Sequence, residues 1–152
     1  VLEFGVATGA TITHLANSPS LVGRRIFGFD SFKGLPGAWS GYRAGHFACD
    51  PPLVPGNVTL VIGLFANTLP AFLATHPGDA ALVHIDCDLY ESTKTVLELM
   101  TPRIVSGTVI ALDEWWIVTD HEQRAWNEWI ERTGKKCRHI ARSTEQLLVI
   151  ME

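Results

Sequence analysis

The sequence predicts an α/β domain built on a mainly parallel sheet. Two observations lead there: short apolar runs alternate with helical patterns along the chain, and several of those runs end abruptly in Gly or Asp. Continuous apolar strands are those covered by helices on both faces, the setting of parallel sheets.

Residues 1–6 (VLEFGV) form the first strand candidate and run into Ala7-Thr8-Gly9-Ala10. A helix follows, with Ile12, Leu15 and Ala16 on one side and a stop near Asn17-Ser18-Pro19. Residues 25–29 (RIFGF) close on Asp30, and residues 58–62 are followed by Gly63. A helix over 69–75 stops at Pro77-Gly78, the strand 81–85 leads to a helix over 92–100, and the strand 107–112 closes on Asp113-Glu114. Thr119-Asp120-His121-Glu122 has the form of a capping box. Ala125, Trp126, Trp129 and Ile130 follow at helical spacing, with Gly134 as the stop, so both tryptophans are expected on a buried face. Residues 136–140 and 146–151 read as a closing pair of strands. Only residues 31–56 break the alternation. They are rich in Gly and Pro and have no helical period, and so long a structureless connection points to a functional loop or to a plain surface excursion.

Composition bounds the function. The 152 residues suit one domain, 1–152, with a substantial core, and nearly half of them are apolar. The net charge of −4 gives no footing for a nucleic-acid backbone, and no apolar run is long enough to span a membrane. Cys49, Cys87 and Cys137 are odd in number and lack metal-type spacing, which suits free thiols in a reducing cytoplasm. The chain opens at Val1 inside a strand, so an upstream N-terminal segment is expected to be missing.

In parallel sheets ligands bind beyond the carboxyl ends of the strands. Glu3 to Gly9, Asp30, Gly63, Asp86 with Asp88, and Asp113 with Glu114 should therefore converge on one rim. The turn Glu3-Phe4-Gly5-Val6-Ala7-Thr8-Gly9 lacks the Gly-x-Gly-x-x-Gly spacing of a dinucleotide site, because Ala7 and Ala10 stand where glycines are needed. Two glycines four apart with an acid before them suit a ligand without a pyrophosphate, such as S-adenosylmethionine. Asp30 is placed to accept both ribose hydroxyls or to cap the loop that follows it. Gly63 and Phe65 would flank an adenine, although Phe65 reads equally well as core.

The four acids at the ends of two neighbouring strands would repel one another unless they share a cation. Oxygen-only ligation favours Mg²⁺, Ca²⁺ or Mn²⁺ over zinc, with Asp86 and Asp113 the favoured pair; Asp88 reads as a helix cap, and Glu114 either joins the pair or is merely exposed. His84, inside an apolar run, reads as a core histidine, and His121 and His139 as surface. Trp39, Tyr42, Arg43 and His46 in the long loop could meet an acceptor, and Trp115 and Trp116 could wall its pocket.

The segments EFGVATG, FGFDSFKGLP, GLFANTLP, HIDCDLYEST and GTVIALDEWW, in this order, resemble the macrocin O-methyltransferase family from Val1 to about Trp116. The resemblance implies a three-layer Rossmann-like sandwich, a seven-stranded sheet with an antiparallel last strand, and S-adenosylmethionine as cofactor. It implies that Glu3, Gly5 and Gly9 line the methionine end and that Asp30 and Ser31 hold the ribose, with Asp86 counted on the cofactor side as well. It also implies Mg²⁺ on Asp86, Asp113 and Glu114, with Glu114 standing where the family has Asp, and Asp86 and Asp88 as catalytic acids. The expected function is cation-assisted methylation of a hydroxyl on a sugar or natural product. A nucleotide-binding oxidoreductase and a non-catalytic cofactor-binding module are the alternatives, and a homo-oligomer is compatible with either.

Overall fold

A computed structural model describes residues 1–116 and 119–152. Seven strands, β1 (Leu2–Phe4), β2 (Ile26–Asp30), β3 (Val58–Ile62), β4 (Leu82–Ile85), β5 (Val109–Leu112), β6 (Cys137–Arg142) and β7 (Leu147–Met151), form one sheet in the order β3-β2-β1-β4-β5-β7-β6. The pairs β3–β2, β2–β1, β1–β4 and β4–β5 are parallel. Strand β7 runs antiparallel to both β5 and β6, so the expected antiparallel last strand is present and lies inside the sheet, not at its edge.

Four helices, α1 (Ala10–Ala16), α2 (Phe65–Thr75), α3 (Tyr90–Met100) and α4 (Arg124–Thr133), cover the sheet unequally. One face carries α2, α3 and α4 over the main core, where Phe4, Phe29, Val83, Ile85, Ile110, Leu112 and Val149 meet Leu69, Val96, Leu97 and Trp129. The other face packs α1 through Ile12 and Leu15 onto Val6, Ile26 and Val58. Alternation along each strand explains the division, since successive side chains point to opposite faces. Trp126 and Trp129 are buried, and the Trp129 indole donates to Thr101 Oγ1 at 2.8 Å.

Two expectations are corrected, and one alternative is decided. Helix α2 begins at Phe65, four residues before the expected start, and carries Pro70 as an internal proline. Thr119–Gln123 forms a π-helical turn ahead of α4. The Thr119 side chain lies outside the described residues, and Glu122 points into the molecule, away from any box at the start of α4. Residues 31–57 do lack a helix, yet they are not an idle excursion. The segment folds on itself through Leu35 N–H to the His46 carbonyl, Gly45 N–H to the Leu35 carbonyl and a bridge between Trp39 and Tyr42. Leu35 and Trp39 are buried in it.

The strand order reverses between β1 and β4, and there the crevice beyond the strand ends opens. The two ends approach closely: a Cβ on Gly5, whose φ is +93°, would fall 1.6 Å from the Asp86 carbonyl oxygen. Among the described residues no helix is long and apolar enough to cross a membrane.

Candidate active site

The crevice holds a cavity of about 520 Å³, within the range of small-molecule sites. Gly5, Ala7, Asp30, Ser31, Gly63 and Phe65 line one side, and Asp86, Asp88, Asp113 and Glu114 another. The long loop contributes Gly34, Leu35, Pro36, Trp39 and Phe47, and α3 contributes Glu91, Ser92 and Thr95. Four of the non-glycine residues with a left-handed backbone, Ala7, Phe47, Asp88 and Glu114, are in this lining. Such strain persists only where the surroundings impose it, and it concentrates at functional sites.

Each of the two central turns is held by a carboxylate. Asp30 Oδ2 accepts the Val6 and Ala7 N–H groups, both at 2.8 Å, and its Oδ1 accepts Phe32 N–H at 2.8 Å. A carboxylate offers about four acceptor positions, so one is left for a ligand where the sequence reading assigns it two ribose hydroxyls. Glu122 does the same at the other turn: its Oε1 accepts Cys87 N–H at 3.0 Å and Asp88 N–H at 3.2 Å. His121 is half-buried, not a surface residue, and its Nδ1 accepts Tyr90 N–H at 3.1 Å at the start of α3.

Two of the residues expected to bind cofactor do not line the cavity. Glu3 is buried behind the turn, and Gly9 begins α1 with φ +82° and faces Pro52, which a Cβ would meet at 2.8 Å. Tyr42, Arg43 and His46 are also outside the lining; Tyr42 stacks between Trp39 and His46. Trp115 is buried in the main core, Trp116 is exposed, and neither walls the cavity.

The acids Asp86, Asp88, Asp113 and Glu114 are brought together in one cavity lining. A ring nitrogen of His84 and one carboxylate oxygen each of Asp86 and Asp113 lie within 4.8 Å of one another, and Glu114, with φ +50°, is outside that group. His84 is buried, as expected of a core histidine, and its Nδ1 faces Glu3 Oε2 at 3.5 Å, an ion pair when the ring is protonated. Asp113 Oδ1 is buried without a hydrogen-bond partner.

The electrostatics follow from burial and crowding. Burial and the Asp113 charge push Asp86 up to about 7, and the same two causes push Asp88 up to about 6. Burial also raises Glu3, Glu114 and, well above the usual range, Glu122. For His84, burial works against the imidazolium, but Glu3, Asp86 and Asp113 outweigh it and raise its pKa. A site with this many raised acids favours whatever brings positive charge, and an acid near 6 is suited to taking a proton at neutral pH.

A seven-stranded sheet in this order, with a glycine turn after β1 and acids after β2, β4 and β5, is the Rossmann-like architecture of methyltransferases. The chain belongs to the methyltransferase-domain family, which matches residues 2–115. Over 63 residues it is 35% identical to the 8-demethyl-8-(2,3-dimethoxy-alpha-L-rhamnosyl)-tetracenomycin-C 4'-O-methyltransferase of Streptomyces olivaceus, a stretch covering 41% of this chain and 23% of that protein. The calicheamicin methyltransferase CalS11 superposes with a TM-score of 0.73 at 26% identity, over 99% of this chain and 71% of that one. The O-methyltransferase NovP superposes with a TM-score of 0.76 at 21% identity, over 99% and 70%, a likeness of fold. These relatives agree with the macrocin-type resemblance seen in the sequence.

Proposed function

We propose that the chain is the catalytic domain of an S-adenosylmethionine-dependent O-methyltransferase that methylates a sugar hydroxyl with the help of a divalent cation. The observation that carries this reading is the juxtaposition, across one cavity, of a carboxylate-clamped glycine turn and a cluster of buried acids. The acceptor class is supported by two relatives: the tetracenomycin enzyme is named for a rhamnosyl compound, and CalS11 is described as a TDP-rhamnose 3'-O-methyltransferase.

The residues fit both groups. The Gly5 turn and the free acceptor position of Asp30 suit a ribose-bearing ligand, Ser31 adds a hydroxyl, and Gly63 and Phe65 offer an apolar flank. Asp86 and Asp113, with an orphaned Asp113 oxygen, suit a cation. When bound, S-adenosylmethionine supplies the methyl group and a cation supplies Lewis-acid lowering of the hydroxyl pKa. The chain's own part is to orient and to move the proton. Asp30 fixes the turn that holds the cofactor, Asp88 accepts the acceptor hydroxyl proton on its carboxylate, and Glu122 holds Asp88 in place. Leu35, Trp39 and Phe47 exclude water from the mouth. Positioning of this kind supplies much of the acceleration in a direct transfer.

The test is calorimetric titration with S-adenosylhomocysteine, with and without chelator, followed by methyl transfer to TDP-rhamnose. Binding in both conditions, with turnover lost on chelation, is expected. Absence of S-adenosylhomocysteine binding would overturn the reading, and turnover insensitive to chelation would remove the cation from it.

A further inference from the structure

The long loop between β2 and β3 carries a hydrogen-bond donor that nothing in the fold uses. The arms of this loop close at a neck, where Leu35 N–H donates to the His46 carbonyl and Gly45 N–H to the Leu35 carbonyl. They approach so closely that a Cβ on Gly34 would fall 2.2 Å from the His46 carbonyl oxygen. From the neck the chain reaches over to the turn after β4. A Cβ on Gly37 would stand 3.9 Å from the side chain of Leu89, the residue after Asp88. The loop therefore joins the cofactor side of the cavity to its acid side, and Leu35, Pro36 and Trp39 line the cavity between them.

Trp39 differs from its neighbours in having a polar atom. It is 7% exposed, and its Nε1 is buried without a hydrogen-bond partner, although a buried indole N–H ordinarily finds one. A buried donor left unpaired costs free energy, and that cost is recovered when an incoming oxygen takes it. The ring is also held in place. It stacks on Tyr42 with 5.9 Å between centroids and 13° between planes, and Tyr42 stacks in turn on His46 at 4.3 Å. Trp39 and Tyr42 exchange backbone hydrogen bonds of 3.0 and 2.7 Å. A recognition group fixed before binding keeps the entropic cost of binding low.

Such a side chain suits a sugar, which presents apolar C–H surface and hydroxyl groups together. The indole offers an apolar body for the first and an N–H for the second, whereas Leu35 and Pro36 offer apolar surface alone. We propose that Trp39 recognises the methyl acceptor: its indole N–H donates to a sugar oxygen and its ring packs on the sugar, with Tyr42 and His46 as positioning residues behind it. The inference rests on the methyltransferase reading above and names a residue that selects the acceptor, not the cofactor. It also gives a role to Tyr42 and His46, which do not reach the cavity.

The Nε1–H resonance of Trp39, followed by nitrogen-15 NMR in protein saturated with S-adenosylhomocysteine, tests this directly. The chain has five tryptophans, and Trp39→Phe identifies the signal by removing it. Addition of TDP-rhamnose is expected to shift the resonance and to slow its exchange with water. Trp39→Phe keeps a ring and loses the donor, so KM for TDP-rhamnose should rise roughly tenfold while S-adenosylhomocysteine affinity is unchanged. Tyr42→Leu should raise the same KM by less, with kcat retained. With S-adenosylhomocysteine bound, a Trp39 resonance that TDP-rhamnose leaves unmoved would overturn the inference and leave the methyltransferase reading standing. A loss of S-adenosylhomocysteine affinity in Trp39→Phe as large as the loss for the acceptor would also overturn it, by putting the indole on the cofactor. Absence of S-adenosylhomocysteine binding to the wild-type protein would remove the methyltransferase reading itself, and this inference with it.

Discussion

The turns after β1 and β4 lie side by side and are built alike. Each has a non-glycine residue in the left-handed region, Ala7 with φ 44° and Asp88 with φ 61°, and in each one carboxylate oxygen accepts two consecutive backbone N–H groups. The clamps differ in origin. Asp30 ends the neighbouring strand and keeps a face toward the cavity, whereas Glu122 reaches in from a π-helical turn and is 1% exposed. One clamp is shared with the ligand site and the other is wholly internal. The comparison teaches that the same backbone device can serve binding at one turn and aim a reactive side chain at the other.

Gly5→Ala should break the comparison outright, since its Cβ would collide with the Asp86 carbonyl and force the turns apart. A loss of about 4 kcal/mol or more is expected by urea unfolding, with little folded protein recovered. Glu122→Ala separates the two clamps. It leaves two amides without a partner, should cost about 2–3 kcal/mol, and should lower single-turnover methyl transfer roughly 100-fold as Asp88 shifts. Glu122→Gln keeps a carbonyl acceptor and should restore most of both. If Glu122→Ala turns over normally, the internal clamp does not aim Asp88. Asp30→Ala should show the reverse pattern: about 1 kcal/mol of stability, because part of its turn meets water, but roughly tenfold or more in S-adenosylhomocysteine affinity by calorimetry.

pH acts on the metal-free protein through several groups at once. Asp86 and Asp88 lie at about 7 and about 6 in the fold against an ordinary 3.8, so the folded chain holds protons that the unfolded chain has released. Their contribution to stability is full below about pH 4 and is lost as pH rises through 6 and 7. Glu3, Glu114, Glu122 and His84 are raised too and act in the same direction. Tm should fall across this window, and Asp86→Asn should flatten its upper half. A Tm that rises from pH 4 to 7 would contradict the crowding of acids at the rim.

The central strands were legible because burial leaves nearly unbroken apolar runs, as in β4, where Val83, His84 and Ile85 are buried; residues 58–62 were bounded correctly although β3 is an edge strand with only Val58 buried. Asp30, Asp86 and Asp113 were legible as well, since a carboxylate seldom ends such a run unless a turn or a ligand requires it. Glu122 was not. Thr-x-x-Glu fits a capping box and a long-range clamp equally, and the bond that decides spans 34 or 35 residues. His84 reads as a core histidine from its apolar neighbours and is buried, but its pairing with Glu3 comes from the register of β1 with β4, which no local pattern displays. The left-handed backbone of Glu114 was not legible, because adjacency to Asp113 in sequence says nothing about φ.

The order of the sheet also fixes where this chain is vulnerable to self-association. Its two edges are guarded unequally: β6 presents exposed Arg138, His139 and Arg142, while β3 (VTLVI) carries no charge and leaves Ile62 57% exposed. An uncharged β-branched edge is a template for intermolecular pairing, and charges along an edge suppress it. Aggregation under mild heating should therefore begin at β3, and a lysine at the exposed Thr59 position would supply the gatekeeper that the other edge already has.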